Sequence, residues 1–489
     1  MGRQIFGVPG RPTDVIQASL PGALKRRRAS TNGHGGDPGG RSSAVAATLA
    51  AHREIELMSG HSLALRLWDG TELGPPASPY RVILRQPWSL RAFLLPPSDL
   101  TAGEAYVNGA VDVEGAMLEA ARAGGALAGS PLSWAQRSRL LRCLLQLPRP
   151  PHRSTGRRAA LAGPLHSKER DRSAIAFHYD LPQAFYEQFL DRSLVYSCAY
   201  FADASEELEA AQTRKLDLIC RKLRLSPGMT MLDVGCGWGS LLAHAARRYG
   251  VRGVGVTLSE TQSEAGRERL REAGLADEVE ILLADYRDVS GSFDAVVSVG
   301  MFEHIGPDHL SEYFSTVRRL TAAGGLFLNH GIVTGRPDEV RSLTPGRGQT
   351  FAGAYVFPDG GAVPAWRAVR ELEYGGFELL DVEQLRPHYA ITAGRWLQRL
   401  ERNHDAAARA SSEADYRIWR TYLAASAVSF ENASLGVIQM LGSAGASVPL
   451  GRSWMIPAEE EATLHDGDRV CDQPSSVFPL RSSATELMQ

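Results

Sequence analysis

The sequence predicts an α/β fold with a doubly wound, mostly parallel sheet, preceded by a small N-terminal α+β domain. Two observations in the second half of the chain carry this prediction. First, an apolar stretch ends in three glycines at alternate positions, Gly235, Gly237 and Gly239, and a helix-like segment follows. Second, apolar segments then alternate with amphipathic ones at a spacing that is typical of parallel sheets. In such sheets the ligand lies beyond the carboxyl ends of the strands.

Polar residues follow the predicted strands at those carboxyl ends. The first strand leads into the glycine turn, and four more are predicted over residues 253–257, 279–283, 293–299 and 325–330. Because the carboxyl ends of parallel strands meet at one edge of the sheet, side chains placed there should lie close together. The residues at these ends are Asp233, Thr257, Asp285, Glu303 and His330.

A smaller unit is predicted over residues 46–147. Residues 62–68 and 80–85 alternate as strands do, and Asp69-Gly70 predicts a turn between them. The following segments are predicted as a helix over 89–95, a loop or edge over 103–109, and the start of another helix over 112–121.

The last segment of this unit, residues 132–147, is predicted to be a basic amphipathic helix. Arg137, Arg139 and Arg142 surround a set of leucines there. Two interpretations stay open. The helix lies on a membrane surface, or it packs within the domain and exposes a solvated basic face.

Composition sets the remaining boundaries. Residues 1–45 are rich in Gly, Pro, Ser and Arg, include a basic run at 25–28, and are predicted to be disordered. Residues 148–171 are predicted to be a linker because proline and basic residues dominate them. The main domain is predicted over 172–442 and a poorly ordered tail over 443–489.

The charges are unevenly distributed although the net charge is only −2. Residues 1–172 contain 23 lysines and arginines against 13 acidic residues, whereas the rest contains 30 against 42. A basic front third favours an anionic surface as partner, either lipid headgroups or nucleic acid. Abundant arginine without a functional meaning is the alternative, since only four of the 53 basic residues are lysines.

The five cysteines are scattered without paired spacing. This argues against a disulfide framework and against a zinc site, and it favours a reducing compartment. No stretch approaches the roughly 20 apolar residues needed to span a bilayer, and no signal peptide is recognised. We therefore expect no metal, a cytoplasmic location and membrane contact only from the surface.

The glycine turn has a spacing that bears on the ligand. Gly-x-Gly-x-Gly after Asp233 differs from the Gly-x-Gly-x-x-Gly fingerprint of dinucleotide-binding folds. It resembles motif I of the Rossmann-like class I methyltransferases, and that resemblance implies S-adenosylmethionine as cofactor. A dinucleotide enzyme and an ordinary strand–helix turn are the alternatives.

Several further motifs make the chain similar to one family within that class, the cyclopropane-fatty-acyl-phospholipid synthases, which include the mycolic acid cyclopropane synthases. The similarity runs from about residue 172 to 442 and more loosely across 45–130. The motifs that carry it are FHYD (177–180), YSCAYF (196–201), LDVGCGWG (232–239), VTLSETQ (256–262), VGMFEHIG (299–306) and HYAIT (388–392).

The resemblance implies a set of cofactor-binding residues. Hydroxyl and amide groups after the second strand suit the ribose and methionine groups, and Tyr286 would cover the adenine while Asp285 accepts a hydrogen bond from its amine. The residues implied are Tyr196, Ser197, Asp233, Gly235, Gly237, Gly239, Thr257, Leu258, Ser259, Gln262, Asp285, Tyr286 and Arg287.

The resemblance also implies a bicarbonate ion that serves as the catalytic base. An alkene is a poor nucleophile, so water must be excluded while a methyl group is transferred to it. Aromatic faces then steady the carbocation, and the base removes a proton. Its implied holders are Cys198, Glu303, His330, Ile332 through its backbone, and Tyr389.

Three of these residues carry further expectations. Burial is expected to raise the pKa of Glu303, which would let it share a proton with a bound anion. For His330, a hydrogen-bonded histidine that merely ends a core strand is the alternative. Cys198 is expected to be an inert buried thiol that contacts the ion through its backbone or sulfur.

The chain departs from the family pattern at two places. Many members have Leu-His-Thr-Ile where this chain has Asn-His-Gly-Ile at 329–332, and many carry a cysteine at the position of Ser426. The first variant is similar to an actinobacterial branch of the family. Some members of that branch install a methylene or methyl branch, so the product stays open between a ring and a branch.

The function expected from the resemblance is one-carbon transfer to the double bond of an unsaturated acyl chain in a membrane phospholipid. The enzyme would work at the inner face of the membrane as a peripheral protein, a homodimer is compatible with the sequence, and no nucleic-acid partner is expected. An O- or N-methyltransferase of a soluble metabolite is the runner-up, and a lipid-binding protein with an inactive enzyme body is a third hypothesis.

Overall fold

The computed structural model describes residues 38–445, except 61, 130–132, 152–157 and 343–349, together with residue 452. Most of the predicted tails, including the basic run at 25–28, therefore lies outside the described residues. One part of the tail prediction is wrong. Helix α1 (Pro38–Ser59) begins within the segment predicted to be disordered, and its alanines at 44, 47 and 51 are buried in the core of the small domain.

The small domain is built on a four-stranded sheet. Its strands are β1 (Leu65–Arg66), β2 (Glu72–Leu73), β3 (Tyr80–Leu84) and β4 (Val111–Gly115), in the order β2-β1-β3-β4. Its other helices are α2 (Ser89–Leu94), α3 (Asp99–Val107), α4 (Met117–Gly129) and α5 (Trp134–Gln146).

Two predictions in this domain are wrong. The predicted loop over 103–109 lies largely in α3, which starts because the Ser98 hydroxyl accepts a hydrogen bond from the Thr101 N–H (3.0 Å). The predicted helix over 112–121 begins as strand β4, which pairs antiparallel with β3, and the helix starts only at Met117. The predicted strand over 62–68 is reduced to two residues.

The large domain contains the predicted sheet. Its strands are β5 (Thr230–Val234), β6 (Arg252–Thr257), β7 (Val279–Leu283), β8 (Phe293–Val299), β9 (Thr321–Thr334), β12 (Glu378–Gln384) and β13 (Leu435–Ser443). A separate two-stranded antiparallel sheet is formed by β10 (Arg341–Ser342) and β11 (Gly361–Ala362). The helices are α6 (Lys168–Tyr179), α7 (Gln183–Tyr186), α8 (Leu208–Lys222), α9 (Ser240–Tyr249), α10 (Glu260–Glu272), α11 (Leu310–Leu320), α12 (Phe351–Tyr355), α13 (Ala365–Tyr374), α14 (Arg386–Arg402), α15 (His404–Ala410) and α16 (Glu413–Glu431).

The order of the large sheet is β12-β13-β9-β8-β5-β6-β7. Strands β5 to β9 are parallel, β13 pairs antiparallel with β9, and β12 pairs antiparallel with β13 at the edge of the sheet. The predicted Rossmann-like, mostly parallel fold is therefore confirmed. Because β5 lies between β6 and β8, the chain changes direction across the sheet at β5, and a ligand is expected at the carboxyl end of that strand.

Helices α14 and α16 pack against each other and connect the two domains. Arg420 on α16 donates to the Tyr106 hydroxyl (2.8 Å) and to the Val113 carbonyl (3.2 Å) of the small domain, and it forms an ion pair with Glu401 on α14 (2.8 Å). Arg417 pairs with Asp112 (3.0 Å) and stacks over the Tyr106 ring. A buried guanidinium group, that of Arg420, and a partly buried one, that of Arg417, therefore hold the small domain against α16.

We predict that Arg420→Gln weakens this connection. The substitution removes a buried ion pair and leaves the Tyr106 hydroxyl and a carbonyl without their donors, so the free energy of unfolding should fall by about 2–3 kcal/mol. Chemical denaturation measures this loss. Arg402→Gln on the exposed surface of α14 is the matched control, since the hydrogen bond of Arg402 among the described residues goes to Gln398 of its own helix. An equal loss in both variants would contradict the assignment.

Candidate active site

The glycine turn after β5 forms the floor of a cleft. Gly235, Gly237 and Gly239 have φ values of +85°, +56° and +77°, a region that side chains rarely tolerate. At Gly235 a Cβ would also meet the Met301 side chain at 3.0 Å. The backbone thus turns sharply at the carboxyl end of β5 and lines a cleft of about 1200 Å³, part of which is open to solvent.

Nearly all the cofactor residues that the resemblance implies line this cleft, namely Tyr196, Ser197, Asp233, Gly235, Gly237, Thr257, Leu258, Gln262, Asp285, Tyr286 and Arg287. Two of the implied residues do not. Gly239 is the N-cap of α9 and packs toward Ile281. Ser259 caps α10 by accepting a hydrogen bond from the Gln262 N–H (3.2 Å). Both positions therefore shape the cleft through the helices that they start.

Two acidic residues of the cleft, Asp285 and Asp233, differ in their hydrogen-bond partners. Both oxygens of Asp285 accept hydrogen bonds from the Arg287 guanidinium (2.8 and 2.6 Å), which in turn pairs with Asp171 (2.8 Å). The expected role of Asp285 toward an adenine amine thus competes with this ion pair. Asp233 is buried, and burial raises its pKa to about 7. Its Oδ1 has no hydrogen-bond partner among the described residues.

A second group of residues lies directly beside the cleft. Tyr196 and Ser197 line the cleft, and the next residue, Cys198, packs with Leu385 and Val437 against Ile332 and Tyr389. In the same way Met301 and His304 line the cleft, whereas Glu303 between them turns toward Ile332. We call the five implied holders of the base, Cys198, Glu303, His330, Ile332 and Tyr389, the base pocket.

The Glu303 carboxyl is fixed by the backbone of the neighbouring strand. The Ile332 N–H donates to Glu303 Oε1 (2.6 Å), and Oε2 has no partner among the described residues. Burial raises the pKa of Glu303 to about 7, as the sequence analysis expects. The implied role of Ile332 changes, because its N–H is used by Glu303 and is not left for a bicarbonate ion.

The other members of the base pocket are held neutral. His330 Nδ1 lies 3.1 Å from the Gln439 side-chain amide on β13, and Nε2 has no partner within the described chain. If the amide donates to Nδ1, the neutral imidazole carries its proton on Nε2. Burial lowers the pKa of His330 to about 3 and raises those of the Tyr389 phenol and the Cys198 thiol above their usual values. The thiol is therefore no nucleophile.

Aromatic side chains from α14 and α16 surround this region, and sequence reasoning missed them. Trp396 lies 5.2 Å from the Tyr196 ring and 6.0 Å from the Tyr389 ring, measured between ring centroids. Trp419 stacks near His178, and the Tyr422 ring lies 5.8 Å from the Trp419 ring. The signal that could have found them is their helical spacing, since Trp419, Tyr422 and Ser426 recur every three or four residues on α16.

The two residues that depart from the family pattern, Asn329 and Gly331, pack on the side of β9 that faces Tyr313 and Phe302. Asn329 and Gly331 face the side of β9 opposite to His330 and Ile332. The Tyr313 hydroxyl donates to Asn329 Oδ1 (2.9 Å), and a Cβ at Gly331 would meet the Phe302 ring at 2.8 Å. The glycine therefore lets Phe302 pack closely against β9, and Phe302 is the residue that precedes Glu303.

The described part of the chain also bears on two other kinds of site, a metal centre and a membrane-spanning helix. No group of three or more His, Cys, Asp or Glu side chains in this part of the chain is arranged to hold a metal ion. None of its helices combines the length and the apolarity that crossing a membrane requires.

The model of the family described as mycolic acid cyclopropane synthetase matches residues 166–440 of this chain, more than half of its length. The chain belongs to this family. It is therefore an S-adenosylmethionine-dependent methyltransferase, and the resemblance stated from the motifs is confirmed.

Relatives and a solved structure agree with this assignment. A probable fatty acid methyltransferase of Pseudomonas putida is 39% identical over 381 residues, which cover 78% of this chain and 91% of that protein. The cyclopropane-fatty-acyl-phospholipid synthase of Escherichia coli is 38% identical over 58% of this chain and 70% of its own. The mycolic acid cyclopropane synthase CmaA1 complexed with SAH and CTAB has a TM-score of 0.52 and 33% identity, over 56% of this chain and 98% of its own.

The raised pKa of Glu303 predicts a pH dependence of stability. The folded chain holds this carboxyl proton up to about pH 7, whereas an unfolded glutamate loses it near 4.5. The resulting stability is fully present below 4.5 and is lost as the pH rises through about 7. Glu303→Gln removes this dependence, so its unfolding free energy relative to wild type should rise by about 2–3 kcal/mol between pH 5 and pH 8.

Denaturant titrations at several pH values measure this difference. Glu373→Gln, which changes an exposed carboxyl on α13, is the control and should follow the wild-type curve. A constant difference between Glu303→Gln and wild type across this pH range would show that the Glu303 carboxyl is ionised in the folded chain.

Proposed function

We propose that this family member transfers a methyl group to the double bond of an unsaturated acyl chain in a phospholipid and then removes a proton to close a cyclopropane ring. The observation that carries the proposal is the position of Glu303. Its carboxyl group is buried directly beside the cleft that Tyr196 and Ser197 line. One carboxyl oxygen accepts a hydrogen bond from the Ile332 N–H, and the other has no partner among the described residues. A methyltransferase that acts on a polar oxygen or nitrogen has no need for such a water-poor pocket.

The cleft provides groups that suit S-adenosylmethionine. Asp233 Oδ1 is a buried acceptor without a partner in the described chain, and Ser197 and Thr257 add hydroxyl groups. The apolar and aromatic side chains of the lining exclude water from the same space. When bound, S-adenosylmethionine supplies an electrophilic methyl group.

The base pocket provides groups that suit a small oxyanion. Below about pH 7 the Glu303 carboxyl is protonated. Its Oε2 atom has no protein partner among the described residues, so Oε2 or the proton on it is available to a bound ion. Neutral His330 offers an N–H at Nε2, and Tyr389 offers a phenol. Bicarbonate, when bound there, supplies the base that removes the proton, and these three side chains would hold it.

Aromatic rings stand where positive charge would develop on the acyl chain. Tyr179, Tyr389 and Tyr422 all lie near Glu303. Trp396 completes the wall between Tyr196 and Tyr389. Ring faces attract a desolvated cation by about 2 kcal/mol each, so this wall favours a carbocation over a neutral acyl chain.

The product follows from which proton the base pocket removes. Loss of a proton from the new methyl group closes the ring, whereas loss of a proton from a neighbouring chain carbon leaves a methyl branch beside a double bond. Gly331 lets Phe302, the residue before Glu303, approach β9 closely, so we infer that the Asn-His-Gly-Ile variant influences where the Glu303 carboxyl lies. A methylene- or methyl-branched acyl chain is therefore the alternative product of the same site.

We predict that Glu303→Gln lowers the turnover number by about 10²- to 10⁴-fold, the range for loss of acid–base assistance. Labelled methyl from S-adenosylmethionine, counted in the acyl chains of unsaturated phospholipid vesicles, measures this. S-adenosylhomocysteine affinity, measured by calorimetry, should stay within about threefold of wild type because Glu303 does not line the cleft.

Two results would contradict the proposal. Wild-type protein that never transfers label to acyl chains would remove the lipid substrate. A Glu303→Gln variant that loses S-adenosylhomocysteine binding in proportion to its activity would make Glu303 a structural residue of the cleft.

Helix α5 is the surface that we infer to contact an anionic membrane. Trp134, Leu141 and Leu145 are 70%, 42% and 52% exposed, and their spacing places them on one helix face. Arg137 stacks over the Trp134 ring at 5.8 Å, and Arg142 is exposed on the same helix. Apolar side chains flanked by arginines fit the headgroup region of a lipid surface.

We predict that the double variant Arg137→Gln and Arg142→Gln binds vesicles with anionic lipid more weakly by about 2 kcal/mol at low salt, since each basic residue contributes about 1 kcal/mol near such a surface. Trp134→Ala should also weaken binding, and Trp366→Ala, at an exposed tryptophan on α13, is the matched control. Equal vesicle binding by all variants in a sedimentation assay would exclude α5 as the contact surface.

A further inference from the structure

A buried lysine on α8 reaches the cleft from a side that the motifs do not describe. Lys215 is 1% exposed, lines the cleft with Ser197 and Asp233, and donates from Nζ to Ser197 Oγ (2.9 Å). It is one of only four lysines in the chain. None of the motifs in the sequence contains it, and the proposed reaction does not use it.

Helix α8 holds the Tyr196–Cys198 segment from two positions. The Gln212 amide donates to the carbonyls of Val195 (3.2 Å) and Ser197 (2.9 Å), and Lys215 lies one turn further along the same helix face. The backbone of the segment is thus already fixed by Gln212. Lys215 is not needed to fix it, and a neutral side chain would serve equally well as a hydrogen-bond donor to Ser197.

In the described part of the chain, no carboxylate lies within ion-pair distance of Lys215. Asp191 and Asp233 are the carboxylates that act on the ammonium, but neither forms an ion pair with it. Asp191 is occupied by the N–H groups of Ser193 and Val195 (both 2.9 Å). An ammonium has three donors, and Ser197 accepts one of them.

The cleft therefore presents a buried cation beside a buried carboxyl. Asp233 has an oxygen without a partner among the described residues, and Lys215 has donors to spare. A buried charge is costly unless an opposite charge pairs with it. A ligand group that carries both a carboxylate and an ammonium satisfies both residues, and the amino-acid part of S-adenosylmethionine is such a group.

We propose that Lys215 binds the carboxylate of the amino-acid portion of S-adenosylmethionine and of S-adenosylhomocysteine, with Ser197 as its partner and Asp233 facing the ammonium. This rests on the family membership and on the cofactor cleft, and it is independent of the lipid substrate. It makes Lys215 a residue that selects nucleosides carrying an intact amino-acid group.

The experiment compares two ligands on the purified full-length protein. S-adenosylhomocysteine carries the amino-acid group, whereas 5′-methylthioadenosine lacks it. Lys215→Met should weaken S-adenosylhomocysteine about 10- to 100-fold in calorimetric Kd, the range for loss of a charge-assisted contact, and should change 5′-methylthioadenosine by less than about twofold.

Two further variants separate charge from structure. Lys215→Gln keeps a donor for Ser197 but removes the charge, so it should show the same selective loss and also serves if Lys215→Met does not fold. Lys222→Met is the matched control, because Lys222 is a buried lysine of the same helix that pairs with Asp381 and Glu383 and does not line the cleft. It should leave the ratio of the two affinities unchanged.

Several outcomes would overturn the proposal. Lys215→Gln that binds both ligands like wild type would reduce Lys215 to a hydrogen-bond donor for Ser197. Parallel losses for both ligands would make it a structural residue. Neither result depends on whether the protein modifies lipids, so a failure here is distinguishable from a failure of the proposed function.

Discussion

The hydrogen bond from the Ile332 N–H to the Glu303 carboxyl is the interaction on which the account of the site depends. It joins the end of β8 to the neighbouring strand β9 and fixes one carboxyl oxygen while the other remains without a partner in the described chain. Burial of this group costs free energy unless it keeps its proton. The fold meets that cost by leaving the carboxyl neutral up to about pH 7.

The surroundings make that arrangement selective. The chain alternates between the cleft and the base pocket at two places, at Ser197 and Cys198 and again at Met301, Glu303 and His304. Two adjoining sites thus share the same two short segments, so a methyl donor in one and an acyl chain near the other would be held in a fixed relation. Helices α14 and α16 close the space with aromatic rings, and the small domain is attached to α16 through Arg420 and Arg417.

The sequence predicts the large sheet well because its signals are local. Residues 279–283 and 293–299 are mostly apolar segments of ordinary strand length, and the structure has both strands with the same bounds. The small domain is predicted less well. Its strands are short. Strand β4 and the helix after it are predicted as one helix, because Gly115, with a φ of +82°, ends the strand without a strong break in composition.

The residues of the site can likewise be divided into those that the sequence predicts and those that it does not. The carboxyl-edge residues are predictable because parallel strands bring their ends together. The Ile332 contact to Glu303 is not predictable, since it is made by a backbone group whose partner depends on the register between β8 and β9. Trp396 and Trp419 reach the site from helices that lie far along the chain, and Lys215 reaches it from a helix outside the motifs. Only the tertiary packing reveals these three residues.

The most direct test of the central claim is to count deuterium in the product. The protein is given S-adenosylmethionine with a fully deuterated methyl group and unsaturated phospholipid vesicles, and the acyl chains are analysed by mass spectrometry. If the base pocket takes a proton from the new methyl group, the added carbon keeps two of its three deuterium atoms. An added carbon that keeps all three, or label found only on oxygen or nitrogen, would contradict the account.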